Sequence, residues 1–202
     1  MTPFESFASK AVPLPIDNVD TDVITPIGRV LEGAEALVRY AFESLRFAPD
    51  GSLRRDCPFN DPAYAGARIL IGGENFGCGS SRETAVWALA GMGFSAVIAP
   101  SFGGIFFSNC FKNGVLPIVL AAEDVAAVAR HAAGGSEILV DLGRQRVSAG
   151  ALERSFEVPA LRKEALLDGL DDLGLILKRQ EALAAFETRD RLERPWVYLS
   201  PA

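Results

Sequence analysis

Three short apolar runs constrain this chain more than anything else in it: "ARILIGG" (67–73), "SAVIAPS" (95–101) and "VLPIVLA" (115–121). Each is punctuated by Gly, Pro or Ser and has the length and continuity of a strand buried on both faces. Segments of helical length separate them, Arg82 to Gly91 and Gly104 to Asn113. "AEDVAAVARHAA", from Ala122, follows the third run until Gly134 and Gly135 stop it. Parallel neighbours need crossovers with room for a helix, so this alternation predicts an α/β fold with a parallel βαβαβ core and right-handed connections. After residue 135 the pattern changes. "SEILVDL", "QRVSAG" and "RSFEVP" predict three added antiparallel strands joined by turns, and "ALRKEALLDGL" predicts a following helix.

A chain of 202 residues with 49% hydrophobic content can fill one substantial core, and residues 1–202 are expected to form a single domain. Residues 26–66 are its least regular part, with a helix predicted in "EGAEALVRYAFESLRF" and turns at "PDGS" and "CPFNDP". An insertion of that length ahead of the central sheet suits a binding loop or lid. The extension 189–202, "RDRLERPWVYLSPA", mixes charges with Trp196 and Tyr198; it either docks on a partner or frays.

Charge and targeting signals narrow the partners. Twenty Lys and Arg against twenty-six Asp and Glu give a net charge of -6 with neither sign gathered in a block, which argues against nucleic acid. The N-terminus lacks the basic start and apolar run of a signal peptide, and no stretch approaches the roughly 18 apolar residues of a membrane span. The expected location is therefore the cytoplasm, with no membrane partner. Cys57, Cys78 and Cys110 are odd in number and far apart, fitting neither a disulfide framework nor a self-contained metal or iron-sulfur site.

The densest chemistry lies in "NFGCGSSRET", Asn75 to Thr84, directly after the first apolar run. It lacks the Gly-Lys-Ser/Thr of a P-loop, the three spaced glycines of a dinucleotide fingerprint and the Gly-x-Ser-x-Gly of a hydrolase elbow. What remains is a glycine-rich turn at the carboxyl end of a parallel strand, feeding a helix whose first N–H groups favour anions. Ser80-x-x-Glu83 also matches a capping box, which would make Ser80 no more than a helix cap. Arg82 in a first helical turn opposes the helix dipole, and an anionic ligand would give it a reason to be there. Cys78 as a nucleophile would want a base, but the one histidine, His131, lies far along the chain.

Two further segments carry unusual polarity. In "NVDTDVITPIGR" (18–29), Asp20 and Asp22 flank Thr21; read locally, this is an Asx-type turn entering a strand. "APSFGGIFFSNCFKNG" sets Ser101, Ser108, Asn109 and Asn113 among aromatics that suit a core.

Taken together, "NVDTDVITP", "ENFGCGSSRE" and "IAPSFGGIFFSNCFKNGVLP" resemble, in order and spacing, the small subunits of isopropylmalate isomerase (3-isopropylmalate dehydratase), and more broadly the mobile fourth domain of aconitase. "LLDGLDDLGLIL" resembles that family's near-C-terminal segment, so the likeness spans roughly residues 10 to 187. It implies a swivelling β/β/α domain and a large partner subunit, joined as a heterodimer or heterotetramer. That subunit carries the 4Fe-4S cluster, and this chain binds no metal itself. The implied substrate is a small hydroxy-dicarboxylate, dehydrated to an unsaturated diacid and rehydrated with the hydroxyl on the neighbouring carbon, a step of leucine biosynthesis. Carried onto this chain, Ser80 matches the serine base, while Ser81 and Arg82 match substrate-binding neighbours, Arg82 able to fork onto a carboxylate. Thr21, Asp22 and Thr25 fall in the aspartate motif that supports the site. Arg29 lies near another substrate-binding arginine of aconitase-like relatives, at a different spacing. Thr84 departs from the histidine the family usually places after the Arg-Glu pair. That leaves open a related hydratase of citraconate, 2-methylmalate, dimethylmaleate or homoaconitate type, or a non-catalytic swivel domain.

A serine base needs more than a helix end, which supplies at most about 2 kcal/mol, or roughly 1.5 pKa units. Several preorganised N–H donors, each worth on the order of 3 kcal/mol in a dry site, would bring an alkoxide within reach. Gly77 and Gly79 allow backbone that close, having no Cβ.

Overall fold

The computed structural model describes residues 1–79 and 82–198. The chain opens with strand β1 (Phe7–Leu14), followed by the short helices α1 (Thr21–Ile24), α2 (Ile27–Val30), α3 (Ala34–Arg39) and α4 (Glu43–Arg46). Then come β2 (Ile69–Gly72), α5 (Thr84–Gly91), β3 (Ala96–Ala99), α6 (Gly104–Lys112), β4 (Leu116–Val119) and α7 (Ala122–Ala132). An antiparallel meander of β5 (Glu137–Asp141), β6 (Arg146–Ala149) and β7 (Leu152–Ser155) leads into α8 (Ala160–Asp168), α9 (Asp172–Leu177) and α10 (Gln180–Glu193).

Among the described residues the strands form one mixed sheet, in the order β4-β3-β2-β1-β5-β6-β7. β2, β3 and β4 pair in parallel, as their continuous apolar character predicts. Their side chains alternate between two cores. Ile69, Ile71, Ala96, Ile98, Leu116 and Ile118 pack with Val125 and Val128 of α7 on one face. Leu70 and Val97 pack with Ala85, Val86, Ala88 and Leu89 of α5 on the other. β4 lies at the edge and carries Pro117, a residue tolerated where no further ladder is needed. α5 stops in a Schellman motif: Gly93, at φ 94, donates to Ala90 O at 2.9 Å, and Phe94 donates to Leu89 O at 3.0 Å.

The central strand, β1, has no counterpart among the strands the sequence predicts. Its residues 7–10 pair antiparallel with β5 and its residues 11–14 pair in parallel with β2, so it joins the two halves of the sheet. Lys10 and Pro13 interrupt its apolar pattern, and its burial alternates only at the start. The third antiparallel strand also differs from expectation. It runs Leu152–Ser155, two residues before "RSFEVP" begins, and Phe156 and Val158 fold into the core beyond its end.

The predicted helix over 32–47 divides into α3 and α4 because Phe42 adopts the left-handed region at φ 55. Phe42 is fully buried and stacks on Phe59 at 4.3 Å, a packing gain that offsets the strained φ. Asn60 Nδ2 donates to Arg46 O at 2.7 Å and Arg54 O at 2.9 Å, closing the rest of the insertion over this pair. At the other end of the chain, α10 runs through residue 189, where the extension was expected to begin. The tail then folds back on the helix: Asp190 accepts from Arg194 Nε at 2.6 Å and from Tyr198 Oη at 2.7 Å.

Candidate active site

The three unusual segments lie at the carboxyl ends of three adjacent parallel strands. Residues 15–29 follow β1, residues 73–83 follow β2 and residues 100–103 follow β3. Open α/β sheets place ligand crevices at these ends.

Backbone bonds knit the loops together. Asn18 N donates to Glu74 O (2.8 Å), Gly77 N to Val19 O (2.7 Å) and Thr21 N to Cys78 O (2.9 Å). These continue the β1–β2 pairing past the strand ends, with Asp20 and Cys78 forming a parallel bridge. On the other side, Asn75 N donates to Ser101 Oγ at 2.7 Å, Phe76 N to Ser101 O at 3.0 Å, and Gly103 N to Phe76 O at 2.9 Å. Two glycines permit this density. Gly77 has φ 71, and a Cβ on it would lie 2.2 Å from the Phe106 ring; one on Gly103 would lie 2.5 Å from Gly77 O.

The aspartate segment enters a helical turn and not a strand. Asp20 caps α1, its Oδ1 accepting from Asp22 N and Val23 N at 2.8 Å each, because a short carboxylate satisfies both free donors of the turn. That turn buries Thr21 and Thr25 and leaves Asp22 pointing outward. Asp22 Oδ1 accepts from Arg82 Nη2, an ion pair between the first and second segments. Thr25 Oγ1 donates to Thr84 O at 3.4 Å, a longer second link. A Cβ on Gly79, at φ 92, would stand 3.3 Å from Asp20 Cβ and 3.5 Å from Thr21 Oγ1.

Thus Thr21, Asp22, Thr25, Gly77, Gly79 and Arg82 converge, whereas Ser80 and Ser81 lie outside the described residues. Arg29 is engaged elsewhere. Its guanidinium forks onto Glu43 at 2.6 and 3.2 Å, donates to Glu32 at 2.8 Å and stacks over Tyr40 at 3.8 Å. The bonds to Glu43 and Glu32 raise its pKa, and the same pairing holds the Glu43 carboxyl below its usual range. Arg29, Tyr40 and Glu43 line a groove of about 820 Å³ in the insertion, together with Arg39, Ser44 and Arg54.

Ser80, the first member of the expected capping box, lies outside the described residues. α5 begins at Thr84, with Glu83 in the cap position and making no side-chain cap bond. The Glu83 carboxylate turns instead to Asn113 at the end of α6, accepting from its Nδ2 at 2.9 Å. That residue, which spacing could not connect to the loop, joins the third segment to the second. Thr84 Oγ1 is buried without a hydrogen-bond partner among the described residues.

Among the described residues, no group of three or more His, Cys, Asp or Glu side chains gathers. Cys57 and Cys110 are buried, and burial drives the Cys110 thiol well above its usual pKa. Cys78 is half-buried beside Asp20. His131 lies on α7 against the β6–β7 turn, where a Cβ on Gly150 would be 2.9 Å from its Cε1.

Residues 1–123 match the model of the aconitase C-terminal domain family. The 3-isopropylmalate dehydratase small subunit of Paramagnetospirillum magneticum is 46% identical over 204 positions, covering 98% of this chain and 100% of the relative. That of Rhodospirillum centenum is 48% identical over 203 positions, covering 98% and 99%. A crystal structure of 3-isopropylmalate dehydratase from Methanocaldococcus jannaschii superposes with a TM-score of 0.65 at 25% identity, covering 89% of this chain and 98% of the other.

Proposed function

The chain belongs to the 3-isopropylmalate dehydratase small subunits of the aconitase C-terminal domain family, and on that premise we propose that it serves a cytoplasmic hydro-lyase interconverting 2- and 3-isopropylmalate in leucine biosynthesis. The observation that carries this reading is the interlock of the three loops, with the Arg82–Asp22 pair at its outer face. It gathers a cation and a glycine-rich backbone at the mouth of a parallel sheet, which suits a dicarboxylate. A large subunit completes the enzyme as a heterodimer or heterotetramer. The three separated thiols of this chain do not fit a 4Fe-4S cluster, so that group is assigned to the large subunit.

In this reading Ser80 takes the carbon-bound proton of the substrate, and Ser81 and Arg82 hold its carboxylates. Arg82 is partly withdrawn, with its side chain 22% exposed, while that of Asp22 is 57% exposed. The carboxylate therefore orients the guanidinium from the solvent side, and a bound dicarboxylate would meet a cation already in place. Thr21, Thr25, Gly77 and Gly79 hold the backbone of both loops. Arg29 belongs with the insertion 26–66, which in this reading helps to set substrate specificity.

Reconstitution with the large subunit, followed by a substrate screen, tests the reading. Isopropylmalate is expected to give the highest kcat/KM. A higher value for citraconate or dimethylmaleate would move the chain to a related diacid hydratase, the reading that Thr84 leaves open. Absence of both a stable complex and any hydration would favour a non-catalytic swivel domain.

A further inference from the structure

We infer that Asn113 is a positioning residue for the substrate-binding arginine, acting through Glu83; this rests on the proposed role of Arg82. Asn113 follows the last residue of α6, thirty positions from Glu83. Its carboxamide is used on both sides. Nδ2 donates to Glu83 Oε1 and to Asn109 O, each at 2.9 Å, and Oδ1 accepts from Trp87 Nε1 at 2.9 Å. Because the amide must present its nitrogen to a carboxylate and a carbonyl and its oxygen to an indole N–H, its orientation is fixed by its partners.

Glu83 and Trp87 are four residues apart and share one face of the helix start, so a single side chain grips α5 at two points. Glu83 is held twice over: its carbonyl accepts from Val86 N at 3.0 Å and Trp87 N at 3.1 Å, while its carboxylate is taken by Asn113. Arg82 is its immediate chain neighbour and reaches the other way, to Asp22. The Arg-Glu pair is thereby clamped between the first and third segments. Without Asn113, Arg82 would keep its ion pair but lose the fixed backbone from which it reaches the ligand.

The test uses three variants. Asn113→Asp sets a carboxylate against Glu83, Glu83→Ala removes the partner from a partly exposed site, and Asn113→Asp with Glu83→Gln restores one donor and one acceptor with their places exchanged. In the enzyme reconstituted with its large subunit, each single variant is expected to raise KM for isopropylmalate about tenfold, the scale of one charge-assisted hydrogen bond, with a smaller change in kcat. The exchanged pair should recover most of the loss. In the isolated chain, backbone hydrogen exchange across residues 82–87 should quicken in the single variants and slow again in the exchanged pair. KM within twofold of the parent in both single variants, or exchange unchanged across 82–87, would overturn the inference. The exchange measurement needs no turnover, so it decides the point even where the parent enzyme proves inactive on isopropylmalate. Such inactivity would count against the proposed function and not against the clamp.

Discussion

Arg82 Nη2 donates to Asp22 Oδ1 across sixty positions of sequence, joining two loops that leave neighbouring strands. A carboxylate from another element thereby offsets the unfavourable dipole that a cation meets just ahead of α5. A lysine would keep the charge but lose the planar fork. Arg82→Lys is expected to lower kcat/KM about 10- to 100-fold, as loss of a charged hydrogen bond does. Steady-state kinetics of the reconstituted enzyme check it, and unchanged kinetics would count against Arg82 as a substrate ligand.

Ser80 and Cys78 make opposite predictions. Ser80→Ala should cut turnover by roughly 10²–10⁴-fold or more, the range for a lost general base, while assembly with the large subunit is retained. Cys78→Ser should leave turnover close to the parent. The reverse pattern would identify a thiol enzyme.

Gly103 tests the interlock of the loops. Its φ of -59 suits any residue, yet a Cβ would stand 2.5 Å from Gly77 O and 3.0 Å from Cys78 Cα, both backbone atoms. Gly103→Ala is expected to cost about 1–3 kcal/mol by overpacking. Thermal unfolding should register it at roughly 2–4 °C per kcal/mol, and an unchanged midpoint would show that the loops can separate freely.

The tail offers a pH prediction. Hydrogen bonds from Arg194 and then Tyr198 hold the Asp190 carboxyl below its ordinary range, and the bond to Asp190 raises the Tyr198 phenol. A depressed carboxyl stabilises above its unfolded pKa, about 4, and that contribution fades as pH falls through the lower folded value. A raised phenol stabilises below about pH 10 and loses its contribution as pH rises through the higher folded value. Residues 195–198 should therefore stay docked across neutral pH, loosening only as pH falls below about 4 or rises above about 10. Trp196 emission in a Trp87→Phe background reports it; release near neutrality would contradict the assignment.

The parallel core was legible because β2, β3 and all but the last residue of β4 are buried, and the three read as unbroken apolar runs. β1 was not, since its two halves face different partners and Lys10 and Pro13 blur any single period. The site divides in the same way. Each of its segments stood out by composition, and their joint resemblance pointed to one crevice. The links between them are long-range. Glu83 illustrates the limit: Asn113, far off in sequence, offers its carboxylate a donor that local pattern cannot reveal. Arg29 sits close in sequence to the aspartate motif, yet Glu43 captures it. In α10, only Asp190 is buried among the fourteen helical residues, so no apolar stripe announced that helix.

The double pairing of β1 also bears on synthesis. A nascent chain can set Ala11 against Ile69 once β2 has left the ribosome, but Phe7 must wait for Val140. During that interval the outer edge of the first strand is an unpaired ladder, the kind of surface that recruits chaperones or joins a neighbouring polysome product. Translation speed between residues 73 and 137 thus sets how long the nascent protein is exposed to misassembly, and a C-terminal truncation before residue 137 leaves that edge open permanently.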